Sequence, residues 1–293
     1  QRMYDVISKS NFQQEIFECY HDLIAFGTSC LMIEEDQEDT LLFSARHIKE
    51  VYIQENKKGY ADTLYRRFKM PAQSAVSKFG FENVSKEIQN IANKNPFDDV
   101  ELVHVVRPRA DFDPNKKDKK NMPFQSIYFE YGSGHIISIG GFLENPYVIP
   151  RYLKASTEQY GRSPGMNALP DVKVLNKMVE NSLKAAAKQI DPPLLIPDDG
   201  MLAPIRMSPG SINYYRSGSR DRIEPLNINA NNSITINNEN QRRDAINKMF
   251  HIDQLVVTEN RNMTATEVIQ RQEEKMRILG PVLGRLQSEL LSP

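Results

Sequence analysis

Apolar positions change their period twice along this chain, and the changes divide it into regions. Near the start, Phe12, Ile16, Tyr20, Leu23 and Ile24 recur at helical spacing, and Gly27 is placed to end the run. From there to about residue 150 the apolar runs shorten to strand length. "TSCLMI", "TLLFSA", "EVYIQE", "ADTLYRRFKM" and "DVELVHVV" read as strands, with the acidic "EEDQED" (34–39) and "NKKG" as turns between them. "PAQSAVSKFG" and "VSKEIQNIANK" read as two short helices, and Pro71 suits a first helical turn, where its missing N–H costs nothing. "DFDPNKKDKKNMP" (111–123) is a solvated loop, and "FQSIYFEY-GSG-HIISIGGF" is a hairpin turning at 132–134. This part is expected to be an α+β unit with mostly antiparallel strands.

Beyond about residue 165 the helical period returns. "PDVKVLNKMVENSLKAAAKQI" (170–190) predicts a helix of about 30 Å, opened by Pro170 and closed by Asp191-Pro192-Pro193. Leu175, Met178, Val179, Ser182, Leu183, Ala186 and Ile190 fall on one side, and Lys173, Lys177, Lys184 and Lys188 on the opposite one. A lysine stripe is ordinarily a solvated face. Residues 191–237 carry six prolines, Arg206, Arg216, Arg220 and Arg222, and the strand-like "LNINANNSITINN". A shorter helix over about 239–252 presents Ile246, Met249 and Phe250 on one face, and the loop "DQLVVTENRN" follows.

The last stretch, "RNMTATEVIQRQEEKMRILGPVLGRLQSELL" (261–291), begins with Thr264 and Glu267 in capping-box spacing, bracketed by Met263 and Val268 as a hydrophobic staple. Met276, Leu279, Leu283, Leu286 and Leu290 form a stripe, interrupted by Gly280-Pro281. A proline inside a helix removes a backbone donor, so a kink is expected there.

Composition narrows the functions available. The 293 residues carry 37 basic and 38 acidic side chains, net -1. Proteins that grip nucleic acid through phosphates usually carry a basic excess, so any DNA contact here is local or weak. No apolar run approaches the roughly 20 residues of a membrane helix, and no secretory signal opens the chain. Cys19 and Cys30, 11 residues apart, form no CxxC pair and fit a reducing compartment. The histidines at 21, 47, 104, 135 and 251 show no metal-binding spacing, and His104, inside an apolar strand, reads as a satisfied core residue. "GSGHIISIGG" comes nearest to a phosphate-binding loop but has no helix start after it. No catalytic motif is visible, so neither an enzyme nor a cofactor is expected. The chain begins with Gln and stops after a leucine-rich helix, which suggests a fragment of something longer.

Three stretches resemble a known family. "NPYVIPRYLKASTEQYGRSPGMNALPDVKVLNKM" (145–178), "DPPLLIPDDGMLAPIRMSPGSINYY" (191–215) and "MTATEVIQRQEEKMRILGPVLGRLQSELLSP" (263–293) are similar to the portal proteins, or head-to-tail connectors, of short-tailed bacteriophages. "SNFQQEIFECYHDLIAFGT" (10–28) resembles them more loosely. The resemblance implies a homo-oligomeric ring, usually of twelve copies, at one capsid vertex of the virion. Double-stranded DNA would pass through its centre during packaging and ejection. It implies a mixed α+β wing over 1–165, stem helices at 166–190 and 239–252, a clip at 191–238, a channel loop at 253–263, and a long helix at 264–293 with its bend at Gly280-Pro281. Implied partners are a terminase motor, a tail adaptor, and scaffolding and capsid proteins, with assembly in the host cytoplasm and no membrane. On this reading Lys173, Lys177, Lys184, Lys188 and Arg261 are candidates for the DNA channel. Arg206, Arg216, Arg220 and Arg222 are candidates for clip contacts, with salt bridges between subunits as the simpler role. The alternative is a monomeric nucleic-acid-binding module that uses the lysine-striped helix.

Overall fold

The strand-length runs "ADTLYRRFKM" and "DVELVHVV" pair with each other inside the main sheet. A computed structural model describes residues 2–36, 40–113, 118–191, 194–195, 224–225, 232–252, 276–277 and 279–292. It divides into two compact units, one of Gln1–Asn167 with Val257–Pro293 and one of Ala168–Val256.

The first unit opens with helices α1 (Arg2–Lys9) and α2 (Phe12–Phe26). Helix α2 ends at Gly27, whose φ of 77° is the left-handed cap that glycine adopts without strain. Strands β1 (Leu31–Asp36) and β2 (Thr40–Ala45) then form a hairpin. The acidic run is therefore not all turn: Glu34, Glu35 and Asp36 pair with Leu42, Leu41 and Thr40. The alternation of β2 extends the ladder past the point where charge alone suggested an end. Five strands follow: β3 (Val51–Glu55), β4 (Ala61–Pro71), β5 (Asp99–Pro108), β6 (Phe124–Glu130) and β7 (Ile136–Phe142). They lie in sequence order in one antiparallel sheet, with α3 (Ala72–Phe79) and α4 (Lys86–Lys94) inserted between β4 and β5. The short β8 (Tyr147–Val148) pairs with β1.

One face of the five-stranded sheet is covered by two different partners. Phe68, Val100, Leu102 and Ile137 pack on Ala72, Ala75, Val84 and Ile88 of α3, α4 and their connection. Val51, Ile53, Leu64 and Val106 pack on Cys30, Met32, Tyr147 and Ile149 from the three-stranded sheet and its continuation. Both cysteines are buried free thiols, and burial raises that of Cys19 to about 11. His104 sits at the join of the two regions, stacked on Tyr128 at 3.8 Å between ring centres. Its Nδ1 bonds the Tyr147 hydroxyl and its Nε2 the Ser126 hydroxyl, each at 2.8 Å. The sequence reading of a satisfied core histidine holds.

In the second unit the helices differ from expectation. The helix expected to open at 166 or at Pro170 is α5, Pro164–Ile190, with Pro170 inside it. Pro164 takes the first helical position, which its fixed φ favours, and Ser163 Oγ caps the start by accepting from Met166 N at 2.8 Å. The helix expected over 239–252 is α6, Asn232–Met249. Its first two turns use "NSITINN", which alternates like a strand; so short a run fits either period. Between them, β9 (Leu194–Leu195) and β10 (Glu224–Pro225) pair antiparallel.

Residues 279–286 are α-helical, so Gly280 and Pro281 both lie within helix. The turn widens to π geometry over Gln287–Leu291, where Ser292 N donates to Gln287 O at 3.0 Å. The expected capping box at Thr264 and Glu267 lies outside the described residues.

Burial lowers the pKa of His104 from 6.5 to about 3, so it is neutral in the fold. The unfolded chain binds this proton below about pH 6.5 and the folded chain does not, so stability falls as pH drops from there. Urea unfolding from pH 6 to 4 is expected to lose on the order of 1 kcal/mol per pH unit from this group. His104→Gln should flatten that slope while lowering stability at pH 7.

Candidate functional elements: a helix hairpin and a buried arginine

The amphipathic pattern of α5 is used against α6. Leu175, Met178, Val179, Ser182 and Ala186 are partly buried, as their spacing predicts. Ser182 Oγ lies 2.5 Å from Glu239 Oε1, and Arg242 Nη1 lies 2.7 Å from Asp171 Oδ1, so polar bonds fix the register of the pair. Ile246, Met249 and Phe250 are partly buried too. Leu183 and Ile190 depart from their predicted side, standing 66% and 86% exposed. Helices α5 and α6 thus leave large apolar side chains uncovered among the described residues.

Lys173, Lys177, Lys184 and Lys188 are all exposed, on the face where the sequence put them. They are not equivalent. Lys184 Nζ and Lys177 Nζ both bind Glu180, at 2.5 and 2.9 Å, and hold its carboxyl below the usual range. Lys173 and Lys188 make no ion pair with another described residue. A pattern reading counts four like charges; side-chain geometry leaves two unpaired.

The rare "YGRSPG" sequence is explained by how α5 begins. Gly161 N donates to Thr28 Oγ1 at 2.7 Å, and Ser163 Oγ donates to Ala25 O at 2.8 Å. These bonds press residues 161–165 against the end of α2. A Cβ on Gly161 would sit 2.1 Å from Gly27 O, and one on Gly165 2.9 Å from Ile24 O. Two backbone segments touch here because neither carries a side chain.

Arg151 is the largest fully buried side chain among the described residues of the first unit. All five of its side-chain N–H groups are used. Nε and Nη2 donate to Glu289 at 3.1 and 2.6 Å, Nη2 also to Gly59 O at 2.8 Å, and Nη1 to Gln159 O at 3.0 Å and to Glu55. Glu289 also accepts from Arg151 N at 3.0 Å and Arg285 Nη1 at 3.0 Å, and Glu55 from Lys154 Nζ at 2.7 Å. Burial opposes the charge on Arg151, and the bonds to Glu289 and Glu55 more than offset it, so its pKa rises. Burial likewise opposes the Glu55 charge, and Lys154 and Arg151 outweigh it, holding the carboxyl below its ordinary value.

Sequence reasoning missed this cluster. Glu289 scores as a solvent residue in an apolar stripe, yet it is buried. Met276 and Leu283 of that stripe are 56% and 46% exposed. The buried side of the last helix instead runs through Val282, Leu286, Glu289 and Leu290, with both leucines packed near Ile16, Cys19 and Leu23. The only signal was the charge itself, a carboxylate between leucines. Arg206, Arg216, Arg220, Arg222 and Arg261 lie outside the described residues. Among the described residues no cluster of His, Cys, Asp and Glu could hold a metal ion, and no helix is long and apolar enough to cross a membrane.

A family described as bacteriophage head to tail connecting proteins matches residues 1–293. The portal protein of Salmonella phage epsilon15 is 32% identical over 301 residues, covering 100% of this chain and 54% of that protein. A probable portal protein of Bordetella phage BPP-1 is 30% identical over 302 residues, covering 99% of this chain and 54% of that protein. The chain therefore spans about half the length of the curated relatives it matches.

Removing one partner of a buried ion pair strands the other charge and costs about 3–5 kcal/mol. Arg151→Met, which leaves buried Glu289 with Arg285 as its remaining cation and Glu55 with Lys154, is expected to lose about that much in urea unfolding. Glu289→Gln should instead raise hydrogen exchange over residues 279–292 first. Gly161→Ala should cost about 2 kcal/mol or more through its backbone clash. Gly140→Ala, where a Cβ would meet nothing within 4 Å, is the control for replacing a glycine as such.

Proposed function

This chain belongs to the family of bacteriophage head to tail connecting proteins, and from that membership we propose that it is the body of a portal subunit. The observation that carries the proposal is a family match over the whole chain, joined by two portal proteins at 32% and 30% identity. Copies assemble into a homo-oligomeric ring of about a dozen at a capsid vertex, and double-stranded DNA passes through it on packaging and ejection. The protein is structural rather than enzymatic. A terminase motor supplies the work, and tail adaptor, scaffolding and capsid proteins dock on the ring after assembly in the host cytoplasm.

Within the ring, residues 1–165 serve as wing, α5 and α6 as stem, the segment between them as clip, 253–263 as channel loop, and 264–293 as the long helix. Exposed Leu183 and Ile190 suit stem helices that meet neighbours. The net charge of -1 suits a channel that must let DNA slide. Self-neutralisation of Lys177 and Lys184 by Glu180 works in the same direction. Lys173 and Lys188 then provide the sequence-independent phosphate contacts of this helix, with Arg261 in the loop. Arg206, Arg216, Arg220 and Arg222 act in clip contacts between subunits. Gly280-Pro281 sets a bend in the long helix. The monomeric nucleic-acid module is not favoured, because it needs the whole lysine stripe free.

Light scattering over a concentration series, with negative-stain images, tests the ring: particles of about a dozen copies with a central hole are expected. Monomers at every concentration would defeat it. DNA binding by the assembled ring should be weak and salt-dependent. Removing a phosphate contact lowers the log–log salt slope by about 0.9, so Lys173→Ala and Lys188→Ala should flatten it and Lys177→Ala should not. Equal effects from all three would remove the distinction.

A further inference from the structure

Two polar contacts fix how α5 and α6 meet. Ser182 of α5 bonds Glu239 and Asp171 bonds Arg242, so the later residue on one helix meets the earlier residue on the other. The two helices therefore run in opposite senses. Val174 and Leu183 stand nine residues apart on α5, about two and a half turns, and so point to opposite sides. Ile236 and Ala245 stand in the same relation on α6. Leu183 and Ile236 border one hollow between the helices. Val174 and Ala245 border another, of about 470 Å³, with Met178, Asn238 and Gln241. The hairpin thus has two flanks, each built from both helices.

The flanks differ in relief. On the first, Leu183, Ile236 and, about two turns beyond Leu183, Ile190 project, at 66%, 57% and 86% exposed. The second is recessed, with Val174 44% exposed beside the hollow. Neither carries an unpaired charge at its centre. Arg242 at the second flank is held by Asp171, and Arg243 at the first lies 3.7 Å from Glu239. The other charges lie behind the flanks. Lys173, Lys177, Glu180, Lys184 and Lys188 occupy the back of α5, and Asp244 and Lys248 the back of α6. Lys188 comes nearest in direction to Val174 but stands fourteen residues away, about 21 Å along the helix.

This pattern selects what can cover the flanks. DNA finds no free cation at the centre of either one. A foreign partner on one flank, or two copies meeting through like flanks, leaves the other flank's apolar side chains in water. A second copy set beside the first covers both in turn and buries no unpaired charge.

We infer that the α5–α6 hairpins of successive copies pack side by side, the flank of Leu183 and Ile236 on one against the flank of Val174 and Ala245 on the next. The contact joins two different surfaces, so it repeats from copy to copy. Both backs, including the lysine face, stay clear of it. The inference rests on the ring assembly proposed above and names the surfaces of one of its contacts.

A single charge on each flank tests it, read by sedimentation of the whole 293-residue chain. Leu183→Glu and Val174→Glu each spoil one flank. Glutamate keeps helix propensity at both exposed positions, so thermal melts should not move. Each variant alone is expected to weaken assembly at least about tenfold, because its carboxylate must be desolvated in the contact. Mixed one to one, they should form dimers and stop there, since the sound flank of each meets the sound flank of the other. Asp244→Lys, on the back of α6, should assemble like the wild type. Rings from both glutamate variants at wild-type concentrations would overturn this contact and leave the ring reading standing. A mixture that stays monomeric would overturn the pairing of unlike flanks, and an equal loss in Asp244→Lys would overturn the choice of flanks. Monomeric wild type would overturn both the contact and the ring.

Discussion

A guanidinium cannot be buried cheaply, and the first unit is organised around satisfying one. Moving an ion out of water costs several kcal/mol even after relaxation, and only full hydrogen bonding makes the position tenable. Arg151 meets that demand with four partner residues from three separated places in the chain: Glu55 and Gly59, Gln159, and Glu289. The β3–β4 turn, the stretch before α5 and the C-terminal helix must all be in place before the charge is matched. An apolar contact tolerates sliding; a planar fork with five donors does not. The cluster is therefore less a source of net stability than of uniqueness in how the last helix is seated. The π turn over Gln287–Leu291 carries Glu289 in that seat.

The same logic of close, directional contact governs the start of α5. Glycines at 27 and 161 let two backbones approach within a distance that any side chain would forbid. Thr28 and Ser163 then supply the bonds that fix the approach. The residues that open α5 are thus fixed against the end of α2. Along α5 itself, Glu180 pairs with both Lys177 and Lys184 and so neutralises part of the lysine face locally.

Much of the fold is legible in the sequence. Strands, the glycine-turned hairpin and the two short helices follow from period and punctuation, because side chains in a sheet alternate and those in a helix advance by about 100°. His104 was legible too, since a histidine inside an apolar strand has few other roles. The errors fell where local signals were balanced. "NSITINN" alternates like a strand but is helix, and Pro170 resembles a helix start yet lies within α5. At Pro170 the cap at Ser163 outweighed a weak local preference, and at "NSITINN" the run is too short for its period to decide.

By itself the sequence determined the class of fold, the family, the lysine face and the lack of a recognisable catalytic motif, all of which are written in spacing and residue type. Only the tertiary structure decided that Arg151 and Glu289, 138 residues apart, share one buried site. It also decided that Gly161 crosses Gly27, and that Tyr52, Tyr65, Val105, Ile127 and Ile139 form one row. The reason is physical: periodicity reports which side of an element is apolar, whereas burial of a charge and alignment across strands depend on which distant segment arrives opposite.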